Sequence, residues 1–257
     1  MNRIKDLFEH KSKGILSVYF CAGHPTLDGT ADTLKALQNG KVDMVEIGIP
    51  FSDPLADGPT IQQASATALK NGMTLHKLFD QLSNIRHDIH IPLILMGYLN
   101  PILHYGFETF CKRCQEVGID GLIIPDLPFD QFKAEYLKTT EQYGFEVIFL
   151  VTPETPEARI REIDAYSHAF IYAVSSASVT GAQQSFSDAK QAYFNRLEQM
   201  HLNNPQLVGF GISNRATREA ADAHTAGVIV GSKFVTLLAE KHNAQEAVTA
   251  LVEALEQ

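Results

Sequence analysis

Short apolar runs, each followed by a helix-like stretch, repeat eight times along the 257 residues of the chain. Runs this short, rich in Ile and Val, are typical of strands buried on both faces of a parallel sheet. Strand–helix alternation also predicts a parallel sheet. The runs are Ile15–Ala22, Val42–Ile49, Ile91–Gly97, Gly121–Pro125, Phe145–Val151, His168–Val174, Gln206–Gly211 and Gly227–Gly231.

Eight such units favour a closed (β/α)8 barrel, or TIM barrel, over an open doubly wound sheet, although a six-stranded open sheet remains an alternative. The length suits one barrel domain over residues 1–257, or else two small domains. Ile4, Leu7 and Phe8 share one face of a predicted additional N-terminal helix. Further helices are predicted at Phe107–Val117, Glu157–Tyr166, Arg215–His224 and Ala244–Glu256.

The charge and the apolar pattern narrow the class of protein. A net charge of −9, with acidic residues scattered along the chain, argues against a nucleic-acid partner. The N-terminal segment lacks the apolar core of a signal peptide, and no stretch suits a bilayer. Three cysteines do not suggest a secreted disulfide framework. We therefore expect a cytoplasmic protein without a membrane partner.

Barrel chemistry is expected at the carboxyl ends of the strands. Glu46 lies inside the second apolar run, and alternation along a strand places it with Val42 and Met44, facing into the barrel. Burial raises a carboxyl pKa toward neutrality, so this group can both donate and accept a proton. The alternative is an ion pair with a buried Lys or Arg, but no other run offers an inward basic residue at its carboxyl end.

The loop after this run holds a second carboxyl group, Asp57, between Pro54 and Pro59. Asp57 could complete an acid–base pair with Glu46, or it could simply cap the helix that follows. Asp126, after the fourth run, is a competing acid–base candidate, although a loop-capping role is the simpler interpretation.

Two glycines, Gly211 and Gly231, end the seventh and eighth runs and let the backbone approach a ligand closely. Ser232 stands where a short helix would begin, and the N–H groups of such a helix start bind phosphate well. Barrels often hold a phosphate after strands seven and eight. The two features together indicate a phosphate site.

Other chemistries find little support in the sequence. The C-x-x-C pair Cys111 and Cys114 falls within a predicted helix, so burial is the simpler explanation than a metal site. His87 and His90 precede the third run, at the opposite end of the barrel, and are interpreted as solvated. No run ends in an inward lysine for a Schiff base, and no G-x-G-x-x-G follows a run. We expect no metal.

The segment from Glu46 to Gln62, EIGIPFSDPLADGPTIQ, resembles the signature of the tryptophan synthase α subunit almost residue for residue. The resemblance implies retro-aldol cleavage of indole-3-glycerol phosphate to indole and glyceraldehyde 3-phosphate, with no cofactor in this chain. It implies that Glu46 is the general acid–base and that Asp57 binds the indole N–H.

The same resemblance assigns further roles. Tyr172 would support the catalytic groups through its hydroxyl. Tyr19 would contact indole, although core packing explains a buried tyrosine equally well. The substrate would also be bound by Thr180 and Phe210, and its phosphate by Gly181, Gly211, Gly231 and Ser232.

The chain departs from the family pattern at three positions. The uncharged loop after the sixth run suits a lid, but Ser176 replaces the family's Arg and Ser178 replaces its first Gly. His24 stands where the family usually has an acidic residue. The substitutions in the loop concern its closure more than the chemistry.

The resemblance also implies a partner, a pyridoxal-phosphate-dependent β subunit that receives indole in an α2β2 assembly. Pro50, Asp53 and Asn100 would lie at that interface. Two alternatives remain at this point. One is a free-standing indole-3-glycerol-phosphate lyase, and the other is a non-catalytic barrel that binds a phosphosugar and regulates a partner.

Overall fold

The structure, a computed structural model, describes residues 2–174, 188–209 and 211–256. Its strands are all parallel and form one sheet with the order β5-β4-β3-β2-β1-β9-β8-β7-β6. They are β1 Ile15–Cys21, β2 Met44–Gly48, β3 Leu93–Met96, β4 Gly121–Ile123, β5 Glu146–Ile148, β6 Leu150–Val151, β7 Ile171–Val174, β8 Gln206–Gly209 and β9 Gly227–Val230.

The predicted fifth run is divided into the two outermost strands, β5 and β6. β5 pairs with β4, whereas β6 pairs with β7. Between them, the Phe149 carbonyl accepts a hydrogen bond from the Tyr172 N–H at 3.1 Å. The two edges of the sheet therefore meet in one short segment of chain. Eight predicted runs give a nearly closed barrel, and the six-stranded open sheet is wrong.

Helices follow the strands around the outside of the barrel. They are α1 Arg3–His10, α2 Thr30–Asn39, α3 Pro59–Lys70, α4 Leu75–Leu82, α5 Leu99–Tyr105, α6 Phe107–Val117, α7 Phe129–Gln131, α8 Leu137–Tyr143, α9 Glu157–Tyr166, α10 Asp188–Gln199, α11 Arg215–Asp222, α12 Ser232–Lys241 and α13 Ala244–Glu256. A 3-10 turn spans Ile85–His87, and a π-helical turn joins α7 to α8 over Phe132–Tyr136.

Local sequence signals account for several helix ends. The Asn2 and Thr74 side chains accept from N–H groups in the first turns of α1 and α4. Asn214 and Thr217 form a capping box at the start of α11. The helices α1, α6, α9 and α13 confirm the predicted segments, whereas α11 ends at Asp222, two residues before the predicted end.

Most strands are shorter than the apolar runs that predict them. The second run was expected to extend over Val42–Ile49, but β2 ends at Gly48. Val42 and Ile49 are nevertheless buried. Apolar residues thus continue into the loops at both ends of the strand. These loop residues are buried, although they form no part of the strand ladder.

Helix α1 lies across the amino-terminal end of the barrel. Its Ile4 is fully buried and reaches the backbone of Gly121 at the start of β4. The neighbouring Asp120 carboxylate, 3% exposed, accepts from Arg3 Nη1 at 3.0 Å and from Arg86 Nη2 at 2.5 Å. It also accepts from the Leu93 N–H at 2.9 Å. One buried carboxylate thus joins α1 to the starts of β3 and β4, away from the carboxyl ends.

Candidate active site

A cavity opens at the carboxyl ends of the strands and encloses about 790 Å³, counting its mouth. It is lined by Tyr19, Glu46, Asp57, Gly58, Pro59, Thr60, Ile61, Met96, Tyr172, Gly211, Ile212, Ser213, Ile229, Gly231, Ser232 and Lys233. The structure therefore brings together both predicted carboxyl groups, both predicted tyrosines and, from the predicted phosphate site, Gly211, Gly231 and Ser232.

Glu46 lies on β2 beside Tyr19 of β1, and its side chain is fully buried. Ser17 Oγ donates to Glu46 Oε1 at 3.0 Å, whereas Glu46 Oε2 has no hydrogen-bond partner within the described residues. Burial raises the pKa of this carboxyl from 4.5 to about 8, and the Ser17 hydrogen bond opposes that rise. Glu46 is therefore a neutral acid at pH 7.

The alternative for Glu46, an ion pair with a buried base, is wrong for the part of the chain that the structure describes. No Lys or Arg of those residues forms a salt bridge with it. A buried carboxyl without a counter-ion keeps its proton, because ionisation would leave an uncompensated charge in a medium of low polarity.

Asp57 lies in the loop after β2, with its side chain in the cavity. The Tyr98 hydroxyl donates to Asp57 Oδ2 at 2.9 Å. Burial raises the pKa of Asp57 from 3.8 to about 6, and the Tyr98 hydrogen bond opposes this rise. The helix-capping alternative is wrong, because Gly58 occupies the N-cap of α3 and the Asp57 side chain does not cap that helix.

The two cavity tyrosines occupy equivalent places on two different pairs of strands. A Cβ atom on Gly48 would lie 2.1 Å from the Tyr19 hydroxyl oxygen. A Cβ atom on Gly209 would lie 2.1 Å from the Tyr172 hydroxyl oxygen. In each case a glycine on the next strand, two residues beyond the register partner of the tyrosine, makes room for the hydroxyl at the cavity. Tyr19 and Tyr172 are thus both buried core residues and cavity residues.

Three of the predicted phosphate-binding residues, Gly211, Gly231 and Ser232, lie where two adjacent strands end. Gly211 follows β8 with a φ of +83°, a conformation that favours glycine. Gly231 is the N-cap of α12 and has no capping side chain. Among the described residues, no side chain accepts from the N–H groups of the first turn, which begins at Ser232, so these groups are available to an anion.

Three residues at or beside the cavity escaped the sequence analysis: Ser17, Tyr98 and Lys233. Ser17 is a polar residue on the inward side of β1, two positions before Tyr19, which was an available signal. Tyr98 lies two residues after the end of β3, so the rule that chemistry sits at strand ends could have found it. Lys233 follows Ser232, within the predicted phosphate site.

Other expected residues lie elsewhere. Asp53 and Asn100 are exposed, whereas Pro50 is buried within this chain and presents little surface to a partner. Asp126 accepts from the Leu99 N–H at 2.8 Å at the start of α5, as the capping interpretation expects, and it does not line the cavity. His24, at the departure from the family pattern, does not line the cavity.

Some predictions concern residues outside the described part of the chain. These are Thr180, Gly181 and Phe210, together with the lid positions Ser176 and Ser178. Cys111 and Cys114 are buried in α6, as interpreted from the sequence. Within residues 2–174, 188–209 and 211–256, no group of three His, Cys, Asp or Glu residues could hold a metal, and no helix could cross a membrane.

Comparison with known proteins decides the family. A family model described as "Tryptophan synthase alpha chain" matches residues 6–257. The chain belongs to the tryptophan synthase alpha chain family. A relative of that name from Parabacteroides distasonis is 59% identical over the full length of both chains. One from Phocaeicola vulgatus is 59% identical over 99% of each.

Solved structures of the family share the fold. The tryptophan synthase alpha chain of Legionella pneumophila has a TM-score of 0.88 at 29% identity and covers 100% of this chain and 97% of its own. A chain of the tryptophan synthase complex from Pyrococcus furiosus has a TM-score of 0.85 at 33% identity, with coverage of 96% and 99%. The barrel predicted from the sequence is confirmed.

Membership of the tryptophan synthase alpha family defines the activity. The chain is a lyase of tryptophan biosynthesis that cleaves indole-3-glycerol phosphate, and the family needs no cofactor of its own for this half-reaction. The non-catalytic regulatory barrel considered from the sequence is therefore wrong.

Proposed function

We propose that Glu46 is the general acid–base of the cleavage reaction and that Asp57 is its second carboxyl group. One observation carries the assignment: Glu46 lines the cavity, and its buried Oε2 atom lacks a hydrogen-bond partner among the described residues. The pKa of this carboxyl group is about 8. A neutral acid that is poised near the operating pH can give up a proton and later take one back.

The proposed reaction has two proton movements. Neutral Glu46 donates its proton to C3 of the indole ring, which gives the indolenine form. The resulting Glu46 carboxylate accepts the proton of the hydroxyl on the carbon attached to C3. The carbon–carbon bond then breaks, its electrons return to the ring, and the products are indole and glyceraldehyde 3-phosphate.

Asp57 would act on the ring nitrogen. With a pKa of about 6, Asp57 is mostly ionised at pH 7 and can accept the indole N–H. Protonation at C3 places positive charge on that nitrogen, so the carboxylate would bind the indolenine more tightly than the substrate, which is how a fixed charge lowers a barrier. Opposite protonation states at pH 7 suit the two carboxyl groups to opposite tasks.

The remaining roles concern binding of the indole ring and of the phosphate. We assign the Tyr19 ring, with Thr180 and Phe210, to the bound indole, and the Tyr172 hydroxyl to support of the reacting groups. The backbone around Gly211, Gly231 and Ser232, with Gly181, would hold the phosphate. The supporting observation is that Gly211, Gly231 and Ser232 line the same cavity as Glu46 and Asp57.

The test compares two isosteric variants, Glu46→Gln and Asp57→Asn, by indole release from indole-3-glycerol phosphate. Loss of one acid–base or electrostatic group costs about 10²–10⁴-fold in rate. Both variants should lose at least a hundredfold in kcat and still bind glycerol 3-phosphate with the affinity of the unaltered enzyme. Full activity of Glu46→Gln would contradict the assignment.

We further propose that the chain works in the cytoplasm with a β subunit, which would hold the pyridoxal phosphate in an α2β2 assembly. Leu55, in the loop between Glu46 and α3, is 90% exposed, an unusual state for a large apolar side chain. Asp53, two residues before Leu55, is also exposed, and so is Asn100 on α5. In the same loop, the Ala56 N–H donates to the Tyr98 hydroxyl, so contact at Leu55 would reach Asp57 through Tyr98.

This partner proposal is tested by indole release from the isolated chain and from the chain mixed with a β subunit. Activation by the β subunit, weakened in Leu55→Asp, is the expected result. Leu69→Asp, at a second exposed leucine on α3, is the matched control and should leave activation unchanged. High turnover of the isolated chain without activation would favour the free-standing lyase.

A further inference from the structure

The cavity carries its charges on two separate walls. Glu46 and Asp57 belong to β2 and its loop, whereas Lys233 follows β9. Lys233 is the basic side chain among the described residues that line the cavity. In the sheet order, β1 separates β2 from β9. The acidic and basic walls are thus two strand spacings apart, about 10 Å at the usual spacing of parallel strands.

The Lys233 ammonium group has no acidic partner in the part of the chain that the structure describes. No salt bridge or side-chain hydrogen bond joins it to any of those residues, although the side chain is only partly exposed. By contrast, a nearby carboxylate pairs with each of Lys35, Lys133 and Lys11. A partly buried cation that faces a cavity without a counter-ion attracts an anionic ligand.

The acidic wall, with Glu46 and Asp57, indicates how far the anionic group at Lys233 must lie from the reacting atoms of the ligand. Under the proposed function, a proton is exchanged at Glu46 Oε2, which has no hydrogen-bond partner among the described residues. A ligand that reaches both walls must carry its anionic group several bonds from the reacting carbon. A phosphomonoester of a short polyol attached to a ring has this form, whereas indole alone has no group for the basic wall.

We infer that Lys233 is a specificity-determining residue that binds the phosphate of the substrate through a charge-assisted hydrogen bond. The inference rests on the proposed phosphate site, and adds a side-chain cation to the backbone groups at Gly211, Gly231 and Ser232. An ammonium group binds phosphate as a point charge and tolerates variation in geometry. Lys233 would therefore select phosphorylated over unphosphorylated ligands without entering the chemical step.

The test measures competitive inhibition by glycerol 3-phosphate and by inorganic phosphate in Lys233→Gln, with Lys241→Gln as control. Lys241 lies exposed in the last turn of the same helix, so the control removes the same charge outside the cavity. A hydrogen bond to a charged group corresponds to about a tenfold change or more in affinity. We expect both inhibition constants and KM to rise about tenfold in Lys233→Gln, with kcat within about twofold of the original value.

Two readouts separate binding from a merely structural effect. In the unaltered enzyme, inhibition by glycerol 3-phosphate should weaken as salt increases, and this dependence should be reduced in Lys233→Gln. Lys233→Arg, which keeps the charge, should retain most of the affinity. Unchanged inhibition constants in Lys233→Gln, or a loss confined to kcat, would overturn the inference.

A second variant tests the proposed phosphate site itself. A Cβ on Gly231 would meet Tyr19 only at 3.7 Å, so Gly231→Ala fits the protein and places a methyl group in the cavity. If Gly231→Ala weakens glycerol 3-phosphate binding and Lys233→Gln does not, the backbone site stands and the role of Lys233 fails. If neither variant weakens binding, the proposed phosphate site fails as well.

Discussion

The Tyr98 hydroxyl donates a hydrogen bond to Asp57 Oδ2 at 2.9 Å and accepts one from the Ala56 N–H at 2.9 Å. Tyr98, two residues after the end of β3, thus holds both the carboxylate and the backbone of the loop after β2. Glu46 has a corresponding partner in Ser17. Each carboxyl group of the cavity therefore receives one hydroxyl donor, and each donor lowers the pKa that burial raises.

Replacement of Tyr98 by Phe should shift the acid limb of the pH–rate profile upward. The Tyr98 hydrogen bond favours the Asp57 carboxylate, so its loss raises the Asp57 pKa above about 6. A hydrogen bond to a charged group is worth about 1.5 kcal/mol, or about one pH unit. The ring contact with Phe51 at 5.3 Å is kept in the variant. The measurement is kcat/KM against pH.

The control for this change is Tyr143→Phe, since the hydroxyl of Tyr143 contacts Glu108 outside the cavity. It should leave the acid limb in place. An acid limb that stays near pH 6 in Tyr98→Phe would show that Tyr98 does not set the ionisation of Asp57.

The unaltered enzyme should show a bell-shaped dependence of kcat/KM on pH, since it needs ionised Asp57 and protonated Glu46. The pKa values of about 6 and about 8 place the maximum near pH 7. Ser17→Ala should move the base limb upward, because the Ser17 donor lowers the Glu46 pKa. A base limb insensitive to Ser17→Ala would assign that limb to another group.

Buried Glu46 should also make the fold less stable as pH rises. Its pKa is raised on folding, so the folded state holds the proton more tightly than the unfolded chain. That contribution is complete below pH 4.5 and is lost as pH rises through about 8. Glu46→Gln cannot ionise. The free energy of unfolding of the unaltered protein, relative to Glu46→Gln, should fall by up to about 1.4 kcal/mol per pH unit in this window.

Urea unfolding at pH 5, 6, 7, 8 and 9 provides that comparison. Thermal unfolding at the same pH values guards against an effect of urea on ionisation. Parallel stability curves for the two proteins would mean that Glu46 titrates near its unfolded pKa.

Removal of the Asp120 carboxylate should cost stability and spare catalysis. Asp120→Ala leaves Arg86 and Arg3 without their partner and leaves the Leu93 N–H without its acceptor. Loss of one partner of a buried ion pair costs about 3 kcal/mol or more. At temperatures where the variant is folded, kcat should be unchanged, because Asp120 lies at the amino-terminal end of the barrel.

Asp88→Ala is the matched control, since the Asp88–Lys35 pair is exposed on both sides and contributes little. Unfolding is followed by denaturant titration, and indole release gives kcat. Equal stability of the Asp120 and Asp88 variants would remove the structural role assigned to Asp120.

The position of Glu46 could be predicted from the sequence because it depends on local geometry alone. Side chains alternate along a strand, and a short apolar run defines the strand. The Glu46 pKa follows from the same burial. The pairing of Tyr98 with Asp57 could not be predicted in this way, because it joins two loops whose distance depends on the closure of the barrel.

The boundaries were harder to predict for a related physical reason. Apolar residues such as Ile49 continue beyond the strand because the cavity rim is also buried. The fifth run divides at Phe149 because the peptide groups before it hydrogen-bond to β4 and those after it hydrogen-bond to β7. The residues on both sides are equally apolar, so the sequence does not show the division. The periodicity of apolar residues also does not indicate the direction of a long polar side chain such as that of Lys233.

The division at Phe149 also determines where the ring of strands can yield. β1 occupies the centre of the strand order and the two halves of the fifth run occupy its ends, so the joint lies diametrically opposite β1. A change in the circumference of the barrel would occur there, because β5 pairs only with β4 and β6 pairs only with β7 among the described strands. Among the strands, amide hydrogens should exchange fastest in β5 and β6 and slowest in β1. Glu46 lies on β2, and Asp57 and Lys233 lie in the segments that follow β2 and β9, so the cavity is built on the two strands next to β1 and far from this joint.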